Sequence, residues 1–274
     1  MAKIQINKTK INKLPVSVTV LTFNEEENIT LCLESVSWVD EIIIVDSGST
    51  DKTLDICKQY TDKIYHKKWA GFVEQKNFAT SKTSNDWIFN IDADERVSAE
   101  LKSSIFKVFQ NEDLNAPASP AGGYAAYMIN FRCWYLGRWI YHCGWYPDYK
   151  PRLFNKSKAE WKGEDPHAMV VPRGKTKKIK GDILHYVYKD ISAQINTIQN
   201  YSDTSLTNFL KKGKKFRLVN VIFHPLIKFL ETYIYKKGFL DGFAGFVISV
   251  NSSFYVLCKW AKLWESTKLE KEMV

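Results

Sequence analysis

The sequence predicts an α/β fold: a mostly parallel, Rossmann-like sheet flanked by helices, with a helical region at the C-terminal end. Three observations predict it. Over the first hundred residues, apolar runs suited to buried strands alternate with segments of helical period. Three of those runs end in acidic, polar loops, at 22–25, 46–51 and 92–95. From Ile191 onward helical patterns return, after an aromatic-rich stretch (124–185) that mixes short strand and turn signals.

Each element has its own reason. Residues 15–21 are β-branched and apolar, as a buried strand requires. Asn24 followed by Glu25, Glu26 and Glu27 reads as a helix start, with an Asn cap and acidic residues at the positive end of the helix dipole. Ile29, Leu33 and Val36 continue that helix at helical spacing. A second strand, 41–45, ends at Asp46, and the loop 46–51 leads to a helix containing Leu54 and Cys57. A short strand at 63–65, a helix at 74–81 and a strand at 87–91 ending in Asp92 complete the series. Residues 111–123, rich in Pro, Gly and Ala, read as a loop. Repeated β-α-β units put ligands beyond the carboxyl ends of the strands. One acidic strand end is common; three on one edge indicate a site.

Composition sets the limits. The 274 residues, 45% apolar and 25% charged, suit one large domain or a domain with an appendage, and argue against wholesale disorder. A formal net charge of +9 points to an anionic partner, whether nucleic acid, an acidic membrane surface or a phosphorylated substrate. The five cysteines contain no CxxC pair, which indicates neither a disulfide framework nor a zinc site and fits a reducing compartment. The first 13 residues carry four lysines without an apolar stretch after them, so no secretory signal is expected and cytoplasmic residence is the default. The uncharged run 242–258 is 17 residues long and interrupted by Gly245, Asn251, Ser252 and Ser253, which is marginal for a membrane span. Basic clusters at 173–180 and 211–217, the latter followed by aromatic helices, suit peripheral docking at the anionic inner face of the cytoplasmic membrane. The alternatives for those helices are a solvated face and a homo-oligomer contact.

The chemistry centres on Asp92-Ala93-Asp94. A departing nucleoside diphosphate gains charge as its bond to sugar breaks. A divalent metal, Mg2+ or Mn2+, neutralises that charge, and hard carboxylate oxygens hold such a metal. Two carboxylates one residue apart at a strand end can divide the work, one on the metal and one on the ribose. Taken alone, the motif is weak and reads first as a solvated turn.

Its context is more specific. The blocks Leu21-Thr22-Phe23-Asn24-Glu25-Glu26, Ile44-Val45-Asp46-Ser47-Gly48-Ser49-Thr50-Asp51, Gln75-Lys76-Asn77 and Asn90-Ile91-Asp92-Ala93-Asp94-Glu95 together resemble the family-2 glycosyltransferases of the GT-A fold. The resemblance implies a nucleotide-sugar-binding and catalytic domain over 1–190 and a helical region over 191–274. It implies that Thr22, Phe23, Glu25 and Asp46 contact uridine, that Lys76 contacts the nucleotide, that Asp92 serves the ribose and that Asp94 serves the metal. On the residues alone, Phe23 is equally a core side chain, Glu25 a helix-dipole residue and 47–50 a plain turn.

Beyond residue 124 the likeness narrows. The segments Phe131-Arg132-Cys133-Trp134-Tyr135, Gly144-Trp145-Tyr146-Pro147-Asp148, Arg152-Leu153-Phe154 and Leu184-His185-Tyr186 look like the lipopolysaccharide-core glucosyltransferases that modify inner-core heptose. That subfamily implies UDP-glucose as donor and a lipid-linked, phosphorylated oligosaccharide as acceptor. It usually carries a His-Glu pair where this chain has His167-Ala168. A base is still needed to deprotonate an acceptor hydroxyl in an inverting displacement. Asp165 is the first candidate and Glu164 the second. His167 is either a metal or diphosphate ligand or a core histidine, and His185 reads as structural. Arg152 could hold an acceptor phosphate, and Trp145 and Tyr146 could stack on sugar, although core packing is the alternative for these aromatics. A nucleotidyltransferase would carry a Gly-rich basic loop after the first strand, where this chain is acidic. A nucleic-acid binder would show a recognisable motif, and none is present, so no nucleic-acid partner is expected.

Overall fold

The structure is a computed structural model that describes residues 13–110, 123–165 and 168–272. The expected loop at 111–123 and the side chain of His167 therefore lie almost wholly or wholly outside the described residues.

Strands β1 (Leu14–Thr22), β2 (Val39–Asp46), β3 (Ile64–His66) and β4 (Trp87–Asp92) form the first half of the sheet. β1, β2 and β4 are nearly continuous apolar runs buried on both faces, as strands inside a parallel sheet must be. β1 lies between β2 and β4 and is parallel to both, and β3 extends the parallel set beyond β2. The register places Thr22 opposite Asp46 and Leu21 opposite Asp92. All three acidic strand ends thus share one edge, as the sequence predicts.

Helices α1 (Ile29–Ser35), α2 (Thr53–Cys57), α3 (Phe72–Ser81) and α4 (Ala99–Gln110) cover the two faces. Val16, Val18, Val20 and Phe89 pack with Ile29 and Leu33 of α1 and with Leu101 and Ile105 of α4. The alternate side chains Ile43 and Val45 pack on Ala79 of α3. Each such burial contributes roughly 1.5–3 kcal/mol.

The second half is mixed. β5 (Glu95–Val97), β6 (Ala126–Tyr135), β7 (Arg138–Trp139), β8 (Asp148–Asn155) and β11 (Thr176–His185) continue the sheet in the order β4-β8-β6-β11-β5, with β7 on β6. β8 runs antiparallel to both β4 and β6, and β5 turns back antiparallel on β11. β9 (Ala159–Lys162) and β10 (Met169–Pro172) make a separate hairpin. The helices α5 (Ile191–Lys211), α6 (Leu218–Leu230) and α7 (Gly242–Glu272) follow. Asp190 caps α5 by accepting the Ala193 N–H at 2.8 Å. Ala244, Val247 and Ile248 of α7 pack on Tyr135, Ile140 and Cys143, tying that helix to the sheet end. All five cysteines are free thiols.

Two helix starts differ from the expected ones. α1 begins at Ile29, not after Asn24. Asn24 sits in the left-handed region (φ 55°), and its side-chain oxygen accepts the Thr50 N–H at 2.8 Å. The side chain read as a cap is committed to the neighbouring loop instead. α3 begins two residues before the expected Glu74, because Asp165 accepts the N–H of Phe72 at 2.9 Å and satisfies its first turn.

Candidate active site

The loops after β1 and β2 brace one another. Glu25 N–H donates to Thr53 Oγ1 at 2.8 Å, Glu26 N–H to Asp51 at 3.1 Å, and Lys52 N–H to Glu26 at 3.0 Å. Asp46 is buried and accepts from Gly48 N–H at 2.8 Å and from the Ser49 N–H and hydroxyl at 3.0 and 2.5 Å. Gly48 turns there with φ 111°, which suits a residue without Cβ. Much of the second sequence block therefore shapes this loop pair. Ser47, not Asp46, lines the cavity that the loops border.

That cavity encloses about 1290 Å³ and runs from the β1, β2 and β4 ends to β8, β10 and β11. It exceeds the few hundred to a thousand Å³ of an ordinary small-ligand site, so two substrates can share it. Thr22 and Phe23 line one end. Phe23 is 57% exposed, which settles it as a surface ring and not core. The buried hydroxyl of Thr22 has no hydrogen-bond partner among the described residues.

At the centre, Asp92 is clamped between two cations. Lys76 Nζ donates to it at 2.7 Å and Arg152 at 3.2 Å. Arg152 also meets Glu95 at 3.1 Å, and both cations converge on the buried amide oxygen of Asn90. Glu95 in turn accepts the Asp92 N–H at 2.8 Å. Burial would raise Asp92, but Lys76 and Arg152 outweigh it and hold the carboxyl well below its ordinary range. Burial pushes Glu95 up despite Arg152. Burial, with Arg152 beside it, also pulls the Lys76 ammonium down against the attraction of Asp92.

Asp94 meets His185 Nε2 at 3.1 Å, its one side-chain partner among the described residues. Burial disfavours the imidazolium, yet the Asp94 charge and hydrogen bond carry His185 well above its usual value. The pairing follows from topology: β5 leaves the Asp92–Asp94 turn and pairs with β11, placing His185 opposite Glu95. Burial raises Glu25, and Asp94, Asp51 and Asp92 add to it against a hydrogen bond from Asn28. Among the described residues no group of three or more His, Cys, Asp or Glu side chains is placed to hold a metal. The Asp94 carboxylate and the His185 imidazole are the two donors side by side at the cavity, and a divalent ion there would need ligand or water oxygens to complete its shell.

The expected acceptor-side residues fare differently. Arg152 lines the cavity but is spent on Asp92, Glu95 and Asn90, so it positions carboxylates and does not stand free for a phosphate. Trp145 packs at a tilt against Tyr135 and Tyr188 in an apolar cluster, and Tyr146 lies edge-on to Tyr141; neither lines the cavity. Asp165 lies in a separate cleft of about 360 Å³, where its carboxylate crowds Gly71 and accepts the Phe72 N–H. Glu164 is exposed and pairs with Lys212 at 3.3 Å. Ala168, the position that lacks the subfamily's Glu, does line the large cavity. So does Asp148, whose N–H donates to Asn130 at 2.7 Å and whose carboxylate pairs with Lys150 at 2.9 Å. Asn90, Glu95, Asp148 and His185 were not assigned site roles from sequence. His185 carried one usable signal, a polar residue closing an apolar strand.

Acidic strand ends over a large cavity, on a mostly parallel sheet flanked by helices, give a GT-A-like fold with a candidate transferase site. The model of the family described as Glycosyl transferase family 2 matches residues 17–180. The chain belongs to that family and is a glycosyltransferase. It is 32% identical over 279 residues to an uncharacterised glycosyltransferase of Rickettsia typhi, covering 94% of this chain and 90% of that one. It is 29% identical over 276 residues to the lipopolysaccharide core biosynthesis glycosyltransferase LpsC of Rhizobium meliloti, covering 95% and 96%. Among solved structures, S. aureus TarS 1–349 in complex with UDP is similar with a TM-score of 0.45 at 14% identity, covering 83% of this chain and 75% of that chain.

Proposed function

We propose that this glycosyltransferase moves a hexose, glucose from UDP-glucose, onto a lipopolysaccharide-core oligosaccharide with inversion at the anomeric carbon. The observation that carries the reading is the Asp92–Asp94 turn, with Asp92 immobilised by Lys76 and Arg152 and Asp94 beside His185 in a cavity with room for two substrates. The relative LpsC, by its name, supports the acceptor class.

In this reading Phe23 offers its ring to the uracil, and the unpartnered Thr22 hydroxyl and Glu25 bind around the nucleoside. Asp46 acts by holding the 47–49 turn against the base. Asp92, fixed on both oxygens, accepts from a ribose hydroxyl. Asp94 and His185 would hold Mg2+ or Mn2+, which supplies positive charge to the diphosphate as it leaves. The acceptor hydroxyl gives its proton to Asp148 and attacks the anomeric carbon from the face opposite UDP; the bond to the diphosphate oxygen breaks. Asp148 takes this role ahead of Asp165 and Glu164 because it lines the same cavity as Asp94 and they do not.

The test is transfer from a panel of UDP-sugars to a core-oligosaccharide acceptor, with and without Mn2+. UDP-glucose should be the preferred donor. Asp94→Ala should lower kcat/KM by at least ~10³, about 4 kcal/mol of transition-state stabilisation. Undiminished turnover in that variant, or no turnover with any UDP-sugar, overturns the proposal.

A further inference from the structure

Among the described residues, exposed apolar side chains concentrate on α6, the turn after it and α7, far along the chain from the cavity motifs. On α6, Leu218, Val219, Ile222, Phe223, Leu226 and Ile227 are all exposed, Leu226 by 58%. They recur at i, i+1, i+4, i+5, i+8 and i+9, one stripe of a helix. On α7, Phe243, Phe246, Val250, Phe254 and Leu257 are exposed at i, i+3, i+7, i+11 and i+14, with Phe243 at 73%. α6 packs along α7, and the turn between them adds exposed Tyr235, Phe239 and Leu240. Apolar exposure concentrated on two packed helices and the turn between them exceeds the scattered apolar exposure normal for a soluble monomer.

Charge indicates what covers it. Between residues 211 and 240 the chain has eight Lys or Arg and one carboxylate, Glu231, which is already paired with Lys228 and Lys236. Five of the basic residues, Lys211, Lys212, Lys214, Lys215 and Arg217, immediately precede the α6 stripe. A second copy docking through the same patch would bring like charges together, whereas a surface of anionic lipid headgroups over acyl chains matches both features.

The opposite face of α7 is bound to the domain, which favours an in-plane over a spanning role. Asn251 hydrogen-bonds Gln194 of α5, Ser249 and Asn251 are buried, and Val247, Ile248, Trp260 and Leu263 are packed against the protein. The helix is long and apolar enough to cross a bilayer, but it is bound along one side to the domain. Only its outer stripe can enter lipid.

We infer that α6, the following turn and the outer stripe of α7 form a platform that lies in the plane of an anionic membrane, with the 211–217 cluster on the headgroups. The platform adjoins the site. Lys212 pairs with Glu164, four residues from Ala168, and Ala168 and the exposed Met169 line the cavity. Docking would hold that rim close to the lipid surface. The inference is independent of which sugar is transferred.

The test is co-sedimentation of the full chain with vesicles of phosphatidylcholine, with and without phosphatidylglycerol. The wild type should partition strongly onto the anionic vesicles and be released by alkaline carbonate. Leu226→Glu/Phe243→Glu should lower the partition constant at least tenfold at any salt concentration. Lys214→Gln/Lys215→Gln should lower it by roughly tenfold or more at low salt and little at high salt, as two headgroup-level charges predict. Both variants change exposed side chains outside the cavity, so their circular dichroism and UDP-induced thermal shift should match the wild type and separate lost docking from lost folding. Three results overturn the inference: wild type that ignores anionic vesicles, Leu226→Glu/Phe243→Glu that partitions normally, or protein that resists carbonate as a spanning helix would. A wild-type dimer that this double variant dissociates, without vesicle binding by either, assigns the surface to a second copy instead.

Discussion

The two ends of the sheet bury carboxylates in different ways. At the amino end of β2, Glu41 is surrounded by donors: Lys63, the hydroxyls of Ser17 and Ser84, and the Ser84 N–H at 2.8 Å. Nothing remains for a ligand, and the group serves stability. At the carboxyl end, Asp92 and Glu95 are held as firmly, but by Lys76 and Arg152, whose charges face a cavity. Asp94 adjoins them with His185 as its partner. A carboxylate whose donors leave it no opening supports the fold, and one held in place beside the large cavity can serve chemistry. Asp165 receives one donor, the Phe72 N–H, and opens on a different cleft from the one that Asp92 and Asp94 line.

The most severe way to break this contrast is to remove a buried cation. Arg152→Met leaves Glu95 without its counter-ion and Asp92 with one of two, and should cost on the order of 3–5 kcal/mol in urea unfolding. Lys212→Met removes an exposed partner of Glu164 and should cost less than about 1 kcal/mol. Equal losses would mean that the Asp92 network has no special dependence on buried charge.

Next in size is the choice of base. Asp148→Asn should lower kcat by about 10² or more, about 2.7 kcal/mol, while UDP binding stays within a few-fold. Asp165→Asn should keep turnover within tenfold and change stability by less than about 1 kcal/mol, because the amide oxygen still accepts the Phe72 N–H at the first turn of α3. The reverse pattern, with normal turnover in Asp148→Asn and none in Asp165→Asn, would return the role to the residue that the sequence alone favours.

The fate of these two aspartates shows what the sequence can reveal. The β1, β2 and β4 ends were legible because each motif adjoins a strand whose apolar run and parallel packing are local properties. Asp92 and Asp94 needed no knowledge of distant residues. His185 and Asp148 reach the same cavity through antiparallel pairings of β11 with β5 and of β8 with β6, at sequence separations that composition does not encode. Asn24 failed for a related reason. It carries the residue type of a helix cap, but a tertiary hydrogen bond to Thr50 outcompetes the local one. Trp145 and Tyr146 admitted both a sugar platform and core packing by residue type, and the fold packs them against neighbouring rings.

The smallest expected effect tests the stability side of the comparison. Its donors lower the Glu41 carboxyl from 4.5 to about 2, although burial alone would raise it. A folded value below the unfolded one means that the unfolded chain takes up the proton first as pH falls. The stabilisation is therefore complete above about pH 4.5 and fades as pH drops toward about 2. Since Lys63 on one side of the group is half exposed, the contribution is discounted to about 1–2 kcal/mol. Glu41→Gln should be less stable than the wild type by that amount at pH 7. The gap should close between pH 4.5 and 2 in parallel urea titrations. Taking the difference between the two proteins cancels the other carboxylates that titrate in the same range. Transfer activity at pH 7 should be unchanged, because Glu41 lies at the far end of β2 from Asp46 and the cavity. A gap that persists at low pH would mean that Gln disturbs the packing and that the carboxylate charge contributes little.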